Sequence, residues 1–180
     1  MKIKKLILSS LFTCLIIISA YIYIPLPFTP VPMTLQVLFV LLSAIFLGPF
    51  YGTLSTIIYI LIGLLGFPVF AGGNSGVGYL FGKTGGYLFG FIIASFVTGY
   101  IYKIDKKLLP VAIISGIFLI HLCGILYLSQ ILSLNIYKAF IIGSLPFIPV
   151  DLVKGILTYI ISLSLLKNRE IRRIFLIKES

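Results

Sequence analysis

Asp151 and Lys154 stand three residues apart in the run Pro146-Phe147-Ile148-Pro149-Val150-Asp151-Leu152-Val153-Lys154, whose other members are all apolar. On a helix such a pair shares one face. A carboxylate accepts from N–H groups and an ammonium donates to a carbonyl or carboxylate, so the two are complementary contacts for a polar ligand head. A plainer reading also fits. Two residues after Pro149, Asp151 falls in the first turn of a helix, where a carboxylate can accept from free backbone N–H groups and gain from the helix dipole. Lys154 would then merely neutralise it.

The other chemistry-bearing residues are few. His121 is the sole histidine and lies within an apolar stretch. With no second histidine and no acidic cluster, neither a metal site nor a Ser-His-Asp arrangement can be assembled. It reads as a polar group bonding across helices, with cavity lining as a secondary role. Gly82-Lys83-Thr84 ends like a phosphate-binding loop, but that motif needs a first glycine separated from Gly82 by four residues, and Val77 occupies that position. No strand precedes it either, so nucleotide binding is excluded on the motif's own terms.

The elements that position these residues are membrane spans. Only 10% of the chain is charged and its mean hydropathy is +1.21, against about 25% charged residues in soluble domains. Between Lys5 and Lys83 lie 77 uncharged residues, enough for three spans at about 20 residues each. The net charge of +10 is not spread as a nucleic-acid surface would be. Eleven of the 14 basic residues fall in three clusters: Lys2, Lys4 and Lys5; Lys103, Lys106 and Lys107; and Lys167, Arg169, Arg172, Arg173 and Lys178. Six helices with both termini cytoplasmic put all three clusters inside and Lys83 and Lys138 outside, as the positive-inside rule expects. The expectation is an all-α, multi-pass protein of the cell membrane, a single domain over residues 1–180 in contact with the lipid bilayer. Leu11-Phe12-Thr13-Cys14 faintly resembles a lipoprotein cleavage site, but the apolar run continues to Ile24, so this segment is read as a retained span. Cys14 and Cys123 are expected to be free and buried.

In order, helices are expected over about residues 6–24, 34–47, 53–65, 86–102, 110–128 and 149–166. Four prolines between Pro25 and Pro32 make a stiff external loop. Gly48-Pro49-Phe50-Tyr51-Gly52 makes a tight cytoplasmic turn. Residues 129–138 read as an external connector and 139–145 as an apolar approach to the last helix. The tail beyond Lys167 reads as a short helix or frayed end. Nine of the 17 glycines lie from Gly66 to Gly90, a density that permits positive φ and close approach of backbone to a ligand. Irregular backbone at a membrane must be buried or line a cavity. The aromatic residues Phe67, Phe70, Tyr79 and Phe81 favour a loop that packs down.

Four segments in order resemble one family. Pro30-Val31-Pro32-Met33-Thr34-Leu35-Gln36, Gly66-Phe67-Pro68-Val69-Phe70-Ala71-Gly72-Gly73, Gly85-Gly86-Tyr87-Leu88-Phe89-Gly90-Phe91 and Pro146 to Lys154 look like the corresponding segments of BioY proteins, the biotin-specific substrate-binding (S) components of energy-coupling factor (ECF) transporters. The resemblance covers nearly the whole chain. It implies a six-helix protein that captures biotin from outside and works with a transmembrane coupling subunit and two ATPase subunits, needing no cofactor and catalysing nothing itself. Position by position, it implies that Asp151 and Lys154 meet the ureido head of biotin, which offers two N–H donors and one carbonyl. It implies Asn74 as a third polar contact beside Gly73 in the glycine-rich loop, Tyr87 against the ligand, and Gln36 near the cavity mouth. Phe70 and Leu80 are expected in the apolar walls.

The sequence also departs from the family pattern. Lys83 stands where proline is common, Val150 where glycine is common, and Tyr127 where tryptophan is frequent. The first-helix pattern Ala-x-x-x-Ala, through which S components meet the coupling subunit, is replaced by Ser9/Thr13 and Ser10/Cys14, small residues still able to allow close helix approach. Alternatives stay open at this point: an S component for thiamin or riboflavin, a small intramembrane enzyme using His121, or a structural assembly protein.

Overall fold

The computed structural model describes residues 2–168. Arg169, Arg172, Arg173 and Lys178, and the expected tail helix, lie outside the described residues. The order is α1 (Lys2–Tyr21), β1 (Tyr23–Ile24), β2 (Met33–Thr34), α2 (Gln36–Leu64), α3 (Val77–Leu80), α4 (Gly85–Ile104), α5 (Leu109–Ile131), α6 (Ile136–Gly143) and α7 (Ile148–Lys167), with single 3₁₀ turns at Ala71–Gly73 and Lys106–Leu108. Five helices among the described residues are long and apolar enough to cross a membrane: α1, α2, α4, α5 and α7.

Helix α2 is not straight. At Gly48 the backbone leaves helical geometry, with φ 78° and ψ 179°, and Pro49 follows. Glycine reaches positive φ without strain, and proline withholds the N–H that would carry the ladder across. The chain folds back at this point. A Cβ added at Gly52 would lie 2.7 Å from Ala44 Cα, although eight residues of straight helix would separate the two by about 12 Å. Likewise Gln36 Nε2 donates to the Tyr59 hydroxyl at 2.7 Å, across what would be about 35 Å of straight helix. Residues 36–47 and 49–64 therefore pack side by side, as expected of helices on either side of Gly48-Pro49.

Glycines set the closest approaches between helices. Gly99 of α4 faces the backbone of Gly48 and Pro49, and Gly90 faces Ile120 of α5. Small residues let helix backbones approach closely enough for dispersion and hydrogen bonds to hold them where no hydrophobic driving force separates helix from lipid. The outward faces of the long helices are apolar, with Phe96, Ile114, Phe118, Val153, Ile156 and Ile160 all exposed.

Several expectations need correction. Helix α1 ends at Tyr21 rather than near Ile24, because Tyr23 and Ile24 pair antiparallel with Thr34 and Met33. That pairing closes the proline-rich segment into a loop. Helix α6 takes up the end of the expected connector and most of the apolar approach; its start is capped by Asn135 Oδ1, accepting from Tyr137 N at 2.7 Å and Lys138 N at 3.1 Å. Cys14 is exposed and Cys123 half-buried, so neither is a fully buried core thiol.

The glycine-rich loop packs down. Phe70 is completely buried, edge-on to Tyr59 with centroids 5.6 Å apart and stacked on Tyr79 at 5.1 Å. Gly63 leaves the room this needs, since a Cβ there would overlap the Phe70 ring.

Candidate functional site

Asp151 and Lys154 are 5% and 6% exposed, facing a cavity of about 60 Å³. Helix α7 starts with proline in its first turn and has no side-chain cap, so Asp151 is not spent on backbone N–H groups. Its own N–H donates to Phe147 O at 2.8 Å. The carboxylate instead faces side chains. Lys154 Nζ donates to Oδ1 at 2.6 Å, while His121 Nε2 lies 3.1 Å from Oδ2. The histidine contact is within ion-pair distance but is not aligned as a hydrogen bond. On its other side His121 Nδ1 meets Ser144 Oγ at 2.9 Å. Desolvating two charges costs several kcal/mol per ion, and mutual attraction repays it only with good geometry. The short Lys154 contact on Oδ1 supplies that geometry, and His121 lies close to the other oxygen.

Five parts of the chain supply most of the walls. Val31 to Thr34 enter from the loop that β1 and β2 close, and Gln36 and Val37 from the start of α2. Tyr87, Leu88 and Phe91 come from α4, Ile120 and His121 from α5, and Phe147 from the start of α7. The result is a polar floor under apolar walls, the usual composition of small-molecule sites. At about 60 Å³ the cavity is smaller than the ~300–1,000 Å³ typical of such sites, so a vitamin-sized ligand requires the surrounding walls to move outward.

Tyr87 lines the cavity, and its hydroxyl donates to Gly143 O at 2.5 Å. Its ring fills the space a side chain at Gly124 would occupy and its hydroxyl the space of one at Gly143, so α4, α5 and α6 lock together at this residue. Gln36 also lines the cavity, donating to Tyr59 and accepting from Thr34 Oγ1 at 3.2 Å. Tyr79 contributes a half-buried hydroxyl from the short α3; burial pushes its pKa up, and a hydrogen bond with Thr84 pulls the other way.

Asn74 and Gly73 sit elsewhere. Asn74 is exposed, its Nδ2 donates to Ala71 O at 2.7 Å, and it does not line the cavity; Ala71 of the same turn does. Gly73 has φ 80° and packs toward the Tyr21 ring. Phe70 and Leu80 are core residues beneath the loop rather than cavity walls.

On α1 the two small-residue pairs separate. Ser9 and Thr13 are buried against the second half of α2, their hydroxyls reaching Tyr51 O at 3.1 Å and Ser55 O at 2.9 Å. Their polar groups are satisfied within the chain, so they do not form an outward docking face. Ser10 and Cys14, one position further on around the helix, are exposed.

The contact the sequence reading missed is that of His121 with Asp151. A lone ionisable residue inside a span is itself a signal of a partner, but the sequence does not say which one. Ser144 carried no signal at all.

A bundle of apolar helices around a cavity with a charged floor defines a membrane-embedded binding protein for small polar-headed molecules. Comparison with known proteins makes this specific. The family model described as BioY family matches residues 1–170. A biotin transporter BioY of Thermotoga maritima is 43% identical over 175 residues, covering 94% of this chain and 99% of that protein. A probable biotin transporter BioY of Pyrococcus horikoshii is 41% identical over 162 residues, covering 90% and 96%. A crystal structure of the S-component for biotin from an ECF-type ABC transporter matches with a TM-score of 0.88 at 31% identity, covering 97% of this chain and 96% of that one. The chain belongs to the BioY family. It is a multi-pass membrane protein.

Proposed function

We propose that this protein captures biotin on the outer face of the cell membrane, and serves as the substrate-binding component of an ECF transporter. The observation that carries the reading is the buried Asp151–Lys154 pair on the cavity floor. Biotin's ureido ring has two N–H groups for the carboxylate and a carbonyl for the ammonium. Its fused rings and valeryl chain suit the walls formed by Val37, Phe91, Ile120 and Phe147. The named transporters among its relatives support the same ligand.

The chain acts as one domain over residues 1–180. The two halves of α2 cross separately, which with α1, α4, α5 and α7 gives six crossings and puts both termini in the cytoplasm. Clustering of the basic residues supports that orientation. Gln36 and Tyr87 contact the ligand from α2 and α4, while Gly73 and Asn74 belong to the loop that moves over the entrance. Uptake is energised by a transmembrane coupling subunit and two ATPase subunits. The exposed Ser10 and Cys14 edge of α1 is the small-residue surface that the coupling subunit meets.

The test is equilibrium binding of labelled biotin to the purified protein, with thiamin and riboflavin as competitors. Saturable binding displaced by biotin but by neither competitor is expected. Displacement by thiamin or riboflavin at equal concentration would reassign the ligand.

A further inference from the structure

We propose that His121 is a positioning residue of the binding site: with Ser144 it holds Asp151 in the orientation that receives the ligand's N–H groups. This rests on the biotin reading above. An ionised carboxylate only accepts hydrogen bonds, so the ring nitrogen 3.1 Å from Asp151 Oδ2 carries the hydrogen. Nδ1 is then bare and accepts from the Ser144 hydroxyl at 2.9 Å. The tautomer is assigned from these partners. The chain of contacts runs from the Ser144 O–H to Nδ1, with Nε2–H then 3.1 Å from Asp151 Oδ2 but off line. All three residues are buried, at 1%, 7% and 5% exposure.

What this arrangement adds is a second hold on the carboxylate. When Lys154 turns its ammonium toward a ligand carbonyl, Oδ1 becomes free to accept from the ligand. Asp151 then needs another partner to stay oriented, and His121 faces the other oxygen. Nε2 is buried, 3.1 Å from Oδ2 and without a hydrogen-bond partner, so a rotation of the carboxylate into line would give it one.

Ser144 ties this to the fold. It directly follows Gly143, whose carbonyl accepts from Tyr87. The end of α6 is thus gripped from α4 by Tyr87, and the connector that follows it is gripped from α5 by His121, two residues that both line the cavity.

The experiment is equilibrium binding of labelled biotin to the purified full-length wild type, His121→Leu, His121→Asn, His121→Gln and Ser144→Ala, each also with Asp151→Asn. A glutamine amide nitrogen can stand in for Nε2, whereas that of asparagine falls nearer Nδ1. A hydrogen bond to a buried charge is worth on the order of 10-fold to 100-fold in affinity. His121→Leu and His121→Asn are therefore expected to raise Kd by about that factor. His121→Gln should recover most of the loss, and Ser144→Ala should lose roughly 3-fold to 10-fold.

In the Asp151→Asn background the His121→Leu loss should vanish, because the group it acts through is gone. A packing role gives the opposite pattern: leucine, similar in size, does best, and losses add. Wild-type affinity in His121→Leu, or an undiminished loss in the Asp151→Asn background, overturns the inference while leaving biotin as the ligand. Absence of biotin binding in the wild type overturns the ligand reading itself. If His121→Leu does not fold, Ser144→Ala decides: unchanged affinity there counts against the relay.

Discussion

Replacing Lys154 alone and replacing it together with Asp151 should have opposite consequences for stability and the same consequence for binding. In Lys154→Met the ammonium 2.6 Å from Asp151 Oδ1 is lost, and the carboxylate, 7% exposed at the side chain, keeps only His121. Breaking a buried pair from one side costs about 3–5 kcal/mol; with His121 still facing Oδ2, the lower end applies, about 3 kcal/mol. For a chain of this size that corresponds to a Tm roughly 6–12 °C lower. In Asp151→Asn/Lys154→Met no buried charge is left unpaired, and substitutions of this kind are often neutral or better. The double variant should therefore unfold above the single one. Both should lose biotin. The assay is thermal unfolding of the detergent-solubilised protein without ligand, beside equilibrium binding of labelled biotin. A double variant less stable than Lys154→Met would make the pair a structural device, and a double variant that still binds biotin would remove it from the site.

Three further outcomes follow from the same geometry. Tyr87→Phe deletes the donor to Gly143 O but keeps the ring; about 1–3 kcal/mol of stability should go with the orphaned carbonyl, seen in the same unfolding assay, while biotin affinity falls less than in the Asp151 variants. Bulky replacement of the exposed Ser10 or Cys14 by leucine should weaken co-purification with the coupling and ATPase subunits without altering biotin binding, whereas Ser9→Leu, aimed into the seam with α2, should lower stability instead. Cysteines introduced at Lys106 and Lys138 should label from opposite sides of the membrane with an impermeant reagent; labelling from one side would contradict the six-crossing topology.

Legibility followed the locality of the physics. Gly48-Pro49 could be read as a break because both residues oppose a helix through their own backbones, and the fold-back at Gly52 agrees. Asp151 and Lys154 could be placed on one face because spacing on a helix is local. What spacing could not provide was the partner across the bundle. His121 is 30 residues before Asp151 and on another helix, and Ser144 lies in a connector that the apolar run 139–145 gave no reason to inspect. Asn74 shows the converse: a polar residue in a glycine-rich loop looks poised for a ligand, yet here it bonds its own turn at Ala71. The Ser9/Thr13 and Ser10/Cys14 pairs are indistinguishable by composition, and only packing reveals that one faces α2 and the other faces out.

The most direct test of the central claim is the affinity of labelled biotin for the purified protein beside Asp151→Asn and Lys154→Ala. Truncating one member of a buried, hydrogen-bonded charge pair costs about 2–5 kcal/mol, or roughly 30-fold or more in Kd. Saturable wild-type binding with losses of that size in both variants is the expected result. Binding that is equally tight in all three proteins would contradict the account.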